Sequence, residues 1–128
     1  MRKGRALVVL SAAFATVLLL PGTSSAGTNS GWVYTSDWDP GGQAAFGHSG
    51  DYLKVCDEQS DGYNVRVHLF KMSDLGDIAT LKTTGGYQDC VTVSFASRVP
   101  ENIRVGIRVS LVKNGNESFH GRKWDLIS

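Results

Sequence analysis

The chain has 128 residues, with 13 Lys and Arg against 12 Asp and Glu. This length holds one domain and excludes a large two-domain enzyme. So even a charge balance also excludes a strongly basic nucleic-acid binder.

The chain begins with a basic stretch, Met1-Arg2-Lys3-Gly4-Arg5, followed by the uncharged run Ala6 to Leu20. Pro21-Gly22-Thr23-Ser24-Ser25-Ala26 then sets small residues before a cut after Ala26. This is the layout of an export signal. The expectation is a signal peptide over residues 1–26 and a secreted, extracellular domain over residues 27–128. Cleavage removes three of the 13 basic residues, which leaves 10 against 12 acidic ones and a net charge of −2. No later apolar stretch approaches the length of a membrane span, so no stable membrane association is expected.

Past the signal, alternation with a period of two dominates, and no window has the pattern of a helix. Short strands are predicted at Gly31–Tyr34 and Gln43–His48. Asp51–Cys56 follows, with Leu53 and Val55 on one face and Tyr52 and Lys54 on the other. Tyr63–Phe70 sets Tyr63, Val65, Val67 and Leu69 against Asn64, Arg66, His68 and Phe70. Ile78–Thr83 suits a strand or one helical turn after Ser73-Asp74. Asp89–Ala96 turns Val91, Val93 and Phe95 one way. The clearest strand is Asn102–Lys113, with Ile103, Val105, Ile107, Val109 and Leu111 in strict alternation. Glu117–Asp125 closes the series. Pro40-Gly41-Gly42, Ser49-Gly50, Asp61-Gly62, Gly85-Gly86 and Asn114-Gly115 are turn signals, the last the strongest hairpin signal in the chain. Seven or eight short strands imply a single all-β antiparallel sandwich. Asp57–Gly62 is expected as a hairpin turn between two paired strands.

Two cysteines in an exported chain have one intramolecular pairing, Cys56–Cys90. Closing a ring of about 35 residues removes roughly 4 kcal/mol of unfolded-chain entropy on the loop model. Both cysteines share parity with polar neighbours rather than with the aliphatic rows, and no Trp lies between them. The expected fold is therefore immunoglobulin-like layering rather than a true immunoglobulin domain, whose bridge crosses between the sheets.

No constellation of residues names a reaction. Gly47-His48-Ser49-Gly50-Asp51 lacks the second glycine and the strand–turn–helix setting of a nucleophile elbow, and is read as a turn. His48, His68 and His120 stand singly, without the paired spacing of a zinc site. Asp57, Gln59, Asp61 and Gly62 match the opening of a calcium loop. His68 occupies the twelfth position where a bidentate glutamate belongs, so calcium affinity at Asp57, Gln59 and Asp61 would be weak. Asn116-Glu117-Ser118 has the pattern of a glycosylation acceptor. Arg66, His68, Arg104 and Arg108 would form a basic strip if their two strands are neighbours. Trp32, Tyr34 and Trp38, beside Asp37 and Asp39, form an aromatic cluster of the kind that holds sugar rings.

The run Asp51-Tyr52-Leu53-Lys54-Val55-Cys56-Asp57, then Asp61-Gly62 and a Val-Arg-Val strand, resembles small exported β-sandwich proteins of actinobacteria (Streptomyces-like). Val99-Pro100-Glu101 before a long alternating strand is similar to them too. The resemblance covers residues 42–112 and implies compartment and fold, not chemistry. Some of these proteins carry further cysteines in the last third. This chain has none after Cys90, so its C-terminal strand would be held by packing through Phe119, Trp124, Leu126 and Ile127.

The functional expectation is a non-enzymatic, monomeric binding module without a cofactor. Its partner is an extracellular ligand, a carbohydrate or a cell surface, met by Trp32, Tyr34 and Trp38. The alternative is a small secreted inhibitor or toxin-like effector acting on a foreign protein through an exposed loop at Gln43–Asp51 or Asp74–Gly86.

Overall fold

The alternating rows become eight strands in the computed structural model, which describes residues 27–128. The expected export signal over residues 1–26 lies outside the described residues. In chain order the strands are β1 (Val33–Tyr34), β2 (Gly42–Gly47), β3 (Tyr52–Asp57), β4 (Asn64–Lys71), β5 (Asp77–Lys82), β6 (Cys90–Ser94), β7 (Arg104–Lys113) and β8 (Asn116–Ile127). Among the described residues there is no helix. The segment that suited either a strand or a helical turn is strand β5.

The strands form two antiparallel four-stranded sheets, ordered β1-β2-β3-β6 and β5-β4-β7-β8. Their facing rows make the core: Phe46, Leu53 and Val55 from the first sheet, and Val65, Val67, Leu69, Val105, Ile107, Val109 and Leu111 from the second. Each of these ten is at most 2% exposed. The order is that of an immunoglobulin-like Greek key, with β2, β3 and β6 facing β5, β4, β7 and β8. Its bridge differs from that of antibody domains. Cys56 and Cys90 are direct partners across β3 and β6, Cα atoms 4.1 Å apart, and the disulfide stays within one sheet.

Asn114-Gly115 makes the expected hairpin. Lys113 opposes Asn116 across a two-residue loop, with φ of 52° at Asn114 and 78° at Gly115. Positive φ at both central residues is the turn whose twist matches its flanking strands. Residues 48–51 likewise turn β2 into β3.

Two expectations are corrected. Asp57–Gly62 is not a hairpin turn: β3 pairs with β2 and β6, β4 with β5 and β7, so this segment crosses from one sheet to the other. Val91 and Val93 share a face, opposite Val55 and Leu53, although Val93 is 38% exposed because β6 is an edge strand flanked by β3 on one side only. The C-terminal strand is not held by packing alone. Of the four side chains expected to anchor it, only Leu126 is fully buried, while Phe119 and Trp124 are exposed. The ladder to β7 and the hydrogen bonds of Ser128 do the rest. Ser128 Oγ donates to the Pro100 carbonyl (2.7 Å) and accepts from the Ile103 amide (3.1 Å).

Candidate functional site

The aromatic cluster lies at the β1 edge of the first sheet. Alternation through β1 and the residue before it buries Val33 and turns Trp32 and Tyr34 outward, 41% and 52% exposed. Side chains two apart on a strand stand about 6.8 Å from one another on one face. The loop after β1 is stapled by its own polar groups. Thr35 Oγ1 donates to Asp37 Oδ1 (2.5 Å), and Asp37 Oδ2 accepts from the Gly41 amide (2.9 Å). Asp37 is thereby consumed in holding the loop, and Trp38 at its tip projects fully into solvent. All three aromatic residues expected from the sequence are exposed.

Register adds residues that the sequence did not single out. Tyr34 opposes Gln43 across β1–β2. Together with Asp39, Pro40, Glu58 and Gln59 they line an open cleft of about 290 Å³. Gln43 Nε2 donates to Glu58 Oε1 (3.0 Å), and Gln59 Nε2 donates to the Asp39 carbonyl (2.7 Å). The remaining carboxylate oxygens of Asp39 and Glu58 can accept hydroxyl hydrogens beside the Tyr34 ring. Farther along the outer face, Lys54 Nζ sits 5.4 Å from the centre of the Trp32 ring, in reach of a cation–π attraction. Tyr52 lies over Gly47, where any Cβ would overlap its ring. Cross-strand parity was the only signal for Tyr52, Gln43 and Glu58, and it could be used only once strand partners were known.

The acidic stretch adjoins this cleft through Gln59 and faces the end of the sandwich where the β3–β4 and β5–β6 connections meet. Asp57, Gln59 and Asp61 line an open cleft of about 390 Å³ with Asn64, Thr84 and Tyr87. Asp57 Oδ1 accepts from the Gln59 amide (3.2 Å), and Asp61 Oδ1 from the Tyr63 amide (2.9 Å). Asp57 continues the inward row of Leu53 and Val55, and its Oδ2 is shielded without a partner. Burial pushes its pKa above the ordinary carboxylate value, and the charges of Asp61, Asp89 and Glu58 push the same way against the Gln59 hydrogen bond. Among the described residues, one group of three metal-type side chains converges, Cys56, Glu58 and Cys90. Its two sulfurs are bonded to each other, which removes them from metal chemistry.

The histidines take separate places. His68 Nε2 lies 2.6 Å from Glu117 Oε1 on the outer face of the second sheet. His120 Nδ1 lies 2.6 Å from Ser110 Oγ, the spacing of a serine and its base. Ser110 is fully buried in β7, so its hydroxyl has no access to a substrate. His48 lies in the turn between β2 and β3 and is half-buried.

Compared with protein-family models, with curated proteins and with solved structures, the chain matches none. The functional reading rests on the geometry of these surfaces.

Proposed function

We propose that the protein is an exported, non-enzymatic binding module. The outer face of β1, β2 and β3 takes a carbohydrate, in free or cell-surface form. One observation carries this reading: Trp32, just before β1, and Tyr34, at its end, are exposed on either side of the buried Val33, with Tyr34 on a cleft lined by Asp39, Glu58, Gln43 and Gln59. Flat rings meet the apolar faces of sugars, and carboxylates and amides take up the hydroxyls. Trp38 extends the same edge from a stapled loop, so little ordering entropy is lost on binding. Export is supported by the leading basic and apolar segment together with the disulfide, a bond that persists in oxidising compartments. The test is retention on insoluble polysaccharides such as cellulose, chitin and peptidoglycan. Wild type is retained on at least one of them, and Trp32→Ala and Tyr34→Ala lose at least about tenfold in affinity. Equal retention of wild type and both variants refutes the reading.

A second reading, an inhibitor of a foreign protein, is favoured by the β4–β5 turn. Leu75 there is 61% exposed at φ 58°. Its backbone is fixed by hydrogen bonds from the Leu75 amide to the Lys71 carbonyl (2.9 Å) and from the Gly76 amide to Asp74 Oδ1 (2.8 Å). A rigid loop offering one apolar side chain is the form an inhibitor takes. Inhibition of a panel of secreted hydrolases, lost in Leu75→Asp, would place this reading first.

A further inference from the structure

The outer face of the second sheet carries a feature that sheets ordinarily avoid. Arg108 on β7 and Arg122 on β8 are direct cross-strand partners, so two guanidiniums share one face. Like charges so placed repel. Without interruption the hairpin register would set Arg108 opposite Gly121 and turn Arg122 toward the core. The ladder instead shifts by one residue between Val109 and Leu111, where Phe119 adopts φ 54°. A bulge of this kind re-aims the side chains beyond it. Here it brings Arg122 outward, next to Arg108.

The arginines are poorly neutralised. Glu117 is shared: its Oε1 is 2.6 Å from His68 and 3.6 Å from Arg66, and its Oε2 is 3.7 Å from Arg108. Arg108 Nε is shielded and has no hydrogen-bond partner. Among the described residues, no carboxylate lies within salt-bridge distance of Arg122. Beside the pair is a cavity of about 90 Å³, bounded by the two arginines, Asp77, Phe70, Leu75 and Trp124. Its apolar wall is built: Phe70 and Trp124 meet edge to face at 5.2 Å, and the Phe70 ring lies over Gly106, where a Cβ would come within 2.6 Å of it. Trp124 and Leu75 remain exposed at the rim.

We propose that this cavity binds a monoanionic carboxylate carrying a small apolar body, its oxygens on Arg108 and Arg122 and its apolar part against Trp124 and Leu75. A guanidinium fork matches a carboxylate in two parallel hydrogen bonds, and Trp124 supplies a flat apolar wall. Asp77, on the wall of the same cavity, repels a second negative charge, which selects a monoanion. The volume equals about three waters' share of liquid, which takes the carboxylate and the first atoms beyond it. The rest of the apolar body lies against Trp124 and Leu75 at the open rim, and the cavity excludes the interior of a polymer chain. The ligand is thus either a free organic acid or the C-terminal carboxylate of a polypeptide ending in an apolar residue. This site lies on the sheet opposite the proposed carbohydrate face and does not depend on it.

The experiment follows indole N–H resonances of the full domain by two-dimensional NMR, with Trp124 assigned from Trp124→Phe. The probes are benzoate, a short peptide ending in a free Phe carboxylate, the same peptide amidated, and inorganic phosphate. Benzoate is expected to shift the Trp124 resonance with a dissociation constant of about 1 mM, in keeping with a ligand of its size. Arg122→Gln, on an exposed edge-strand side chain, weakens it at least about tenfold, and Arg122→Lys restores only part because the fork is lost. A peptide acid tighter than benzoate assigns the site to a chain terminus; benzoate at least as tight assigns it to a free acid. The proposal is overturned if neither acid moves Trp124, if the amide or phosphate binds as well as the acids, or if Arg122→Gln binds unchanged.

Discussion

Removal of the disulfide tests how this small sandwich is held together. Cys56 and Cys90 join β3 to β6, and β6 contributes little else: Val91 is half-buried, and Thr92, Val93 and Ser94 are exposed. The bond closes a loop with a sequence separation of 34. On the loop model this removes about 4 kcal/mol of unfolded-chain entropy, a term that does not depend on how well β6 packs. For a domain of about 100 residues, each kcal/mol moves Tm by about 4 °C or more, so the expected loss is about 15 °C or more. The double variant Cys56→Ala/Cys90→Ala is the right perturbation, since alanine leaves no unpaired hydroxyl at the buried Cys56. Thermal melts followed by far-UV circular dichroism measure the loss. Amide hydrogen exchange locates it, with β6 and its partner edge of β3 opening before β4 and β7. A Tm loss below about 5 °C would refute the reasoning, because the unfolded chain would then be too compact for loop closure to matter.

Three further outcomes follow from details of the packing. Asp51 and Asp57 both have pKa values raised above the ordinary carboxylate value. For Asp51 the causes are burial and then Glu101, against an opposing effect from His48; for Asp57 they are burial and its acidic neighbours. The folded state therefore holds these protons more tightly than the unfolded chain, and their ionisation costs stability as pH rises from the ordinary value through the raised one. Asp57→Asn and Asp51→Asn should melt above wild type at neutral pH and lose that advantage in acid, measured as melting curves from about pH 3 to pH 7; a variant melting lower at neutral pH refutes the assignment. Glu117 has the opposite sign. Burial alone would raise its pKa, but the His68 hydrogen bond and the charges of His68, Arg66 and Arg108 hold it below the ordinary value, so its contribution is lost only as pH falls through that lowered value. Gly121→Ala should cost about 1–3 kcal/mol in urea melts, because a Cβ there would overlap the Tyr34 carbonyl and force β1 away from β8. Polysaccharide retention should fall with it, and unchanged stability would show that this contact yields freely.

The rows of the sandwich were legible because a strand's period is two. Leu53 with Val55, Val65 with Val67 and Leu69, and Ile103 through Leu111 announce their inward faces without reference to any partner. Pairing was not legible in the same way. A six-residue link such as Asp57–Gly62 suits a hairpin or a crossing between sheets, and alternation assigns a face, not a neighbour. Asp57 itself held a clue, since it continues the inward row where a hairpin would have left it in solvent. Trp32 and Tyr34 could be placed together from parity alone, whereas Gln43, Glu58 and Tyr52 joined them only through register across β1, β2 and β3. The meeting of Arg108 with Arg122 was hidden more deeply. The hairpin at Asn114-Gly115 fixes a register that two bulges then change; Phe119, at φ 54°, is not a residue whose identity announces positive φ, and Asp125, at 58°, tolerates it but stands without a neighbouring glycine to mark a turn.

Those bulges also explain how β8 remains safe as an edge. It is the longest strand, with 12 residues, and a flat edge of that length would offer a template to any other chain. The ladder to β7 shifts register between Val105 and Ile107 and again between Val109 and Leu111, so β8 is never a straight run of free amides and carbonyls. Phe119 at one bulge gives its carbonyl to the Ser36 amide at 3.0 Å, which ties the loop after β1 across the open side of the sandwich. That hydrogen bond and the contact of Gly121 with Tyr34 hold the base of the aromatic edge, while the same change of register carries Arg122 to the opposite face. The departure at Phe119 therefore shares in blunting the edge, positions Tyr34 on one sheet and sets the arginine pair on the other. Strain at a non-glycine residue is ordinarily retained only where the surrounding structure over-determines it. At Phe119 it is fixed from both sides, by the β7 ladder and by the loop that carries Trp38.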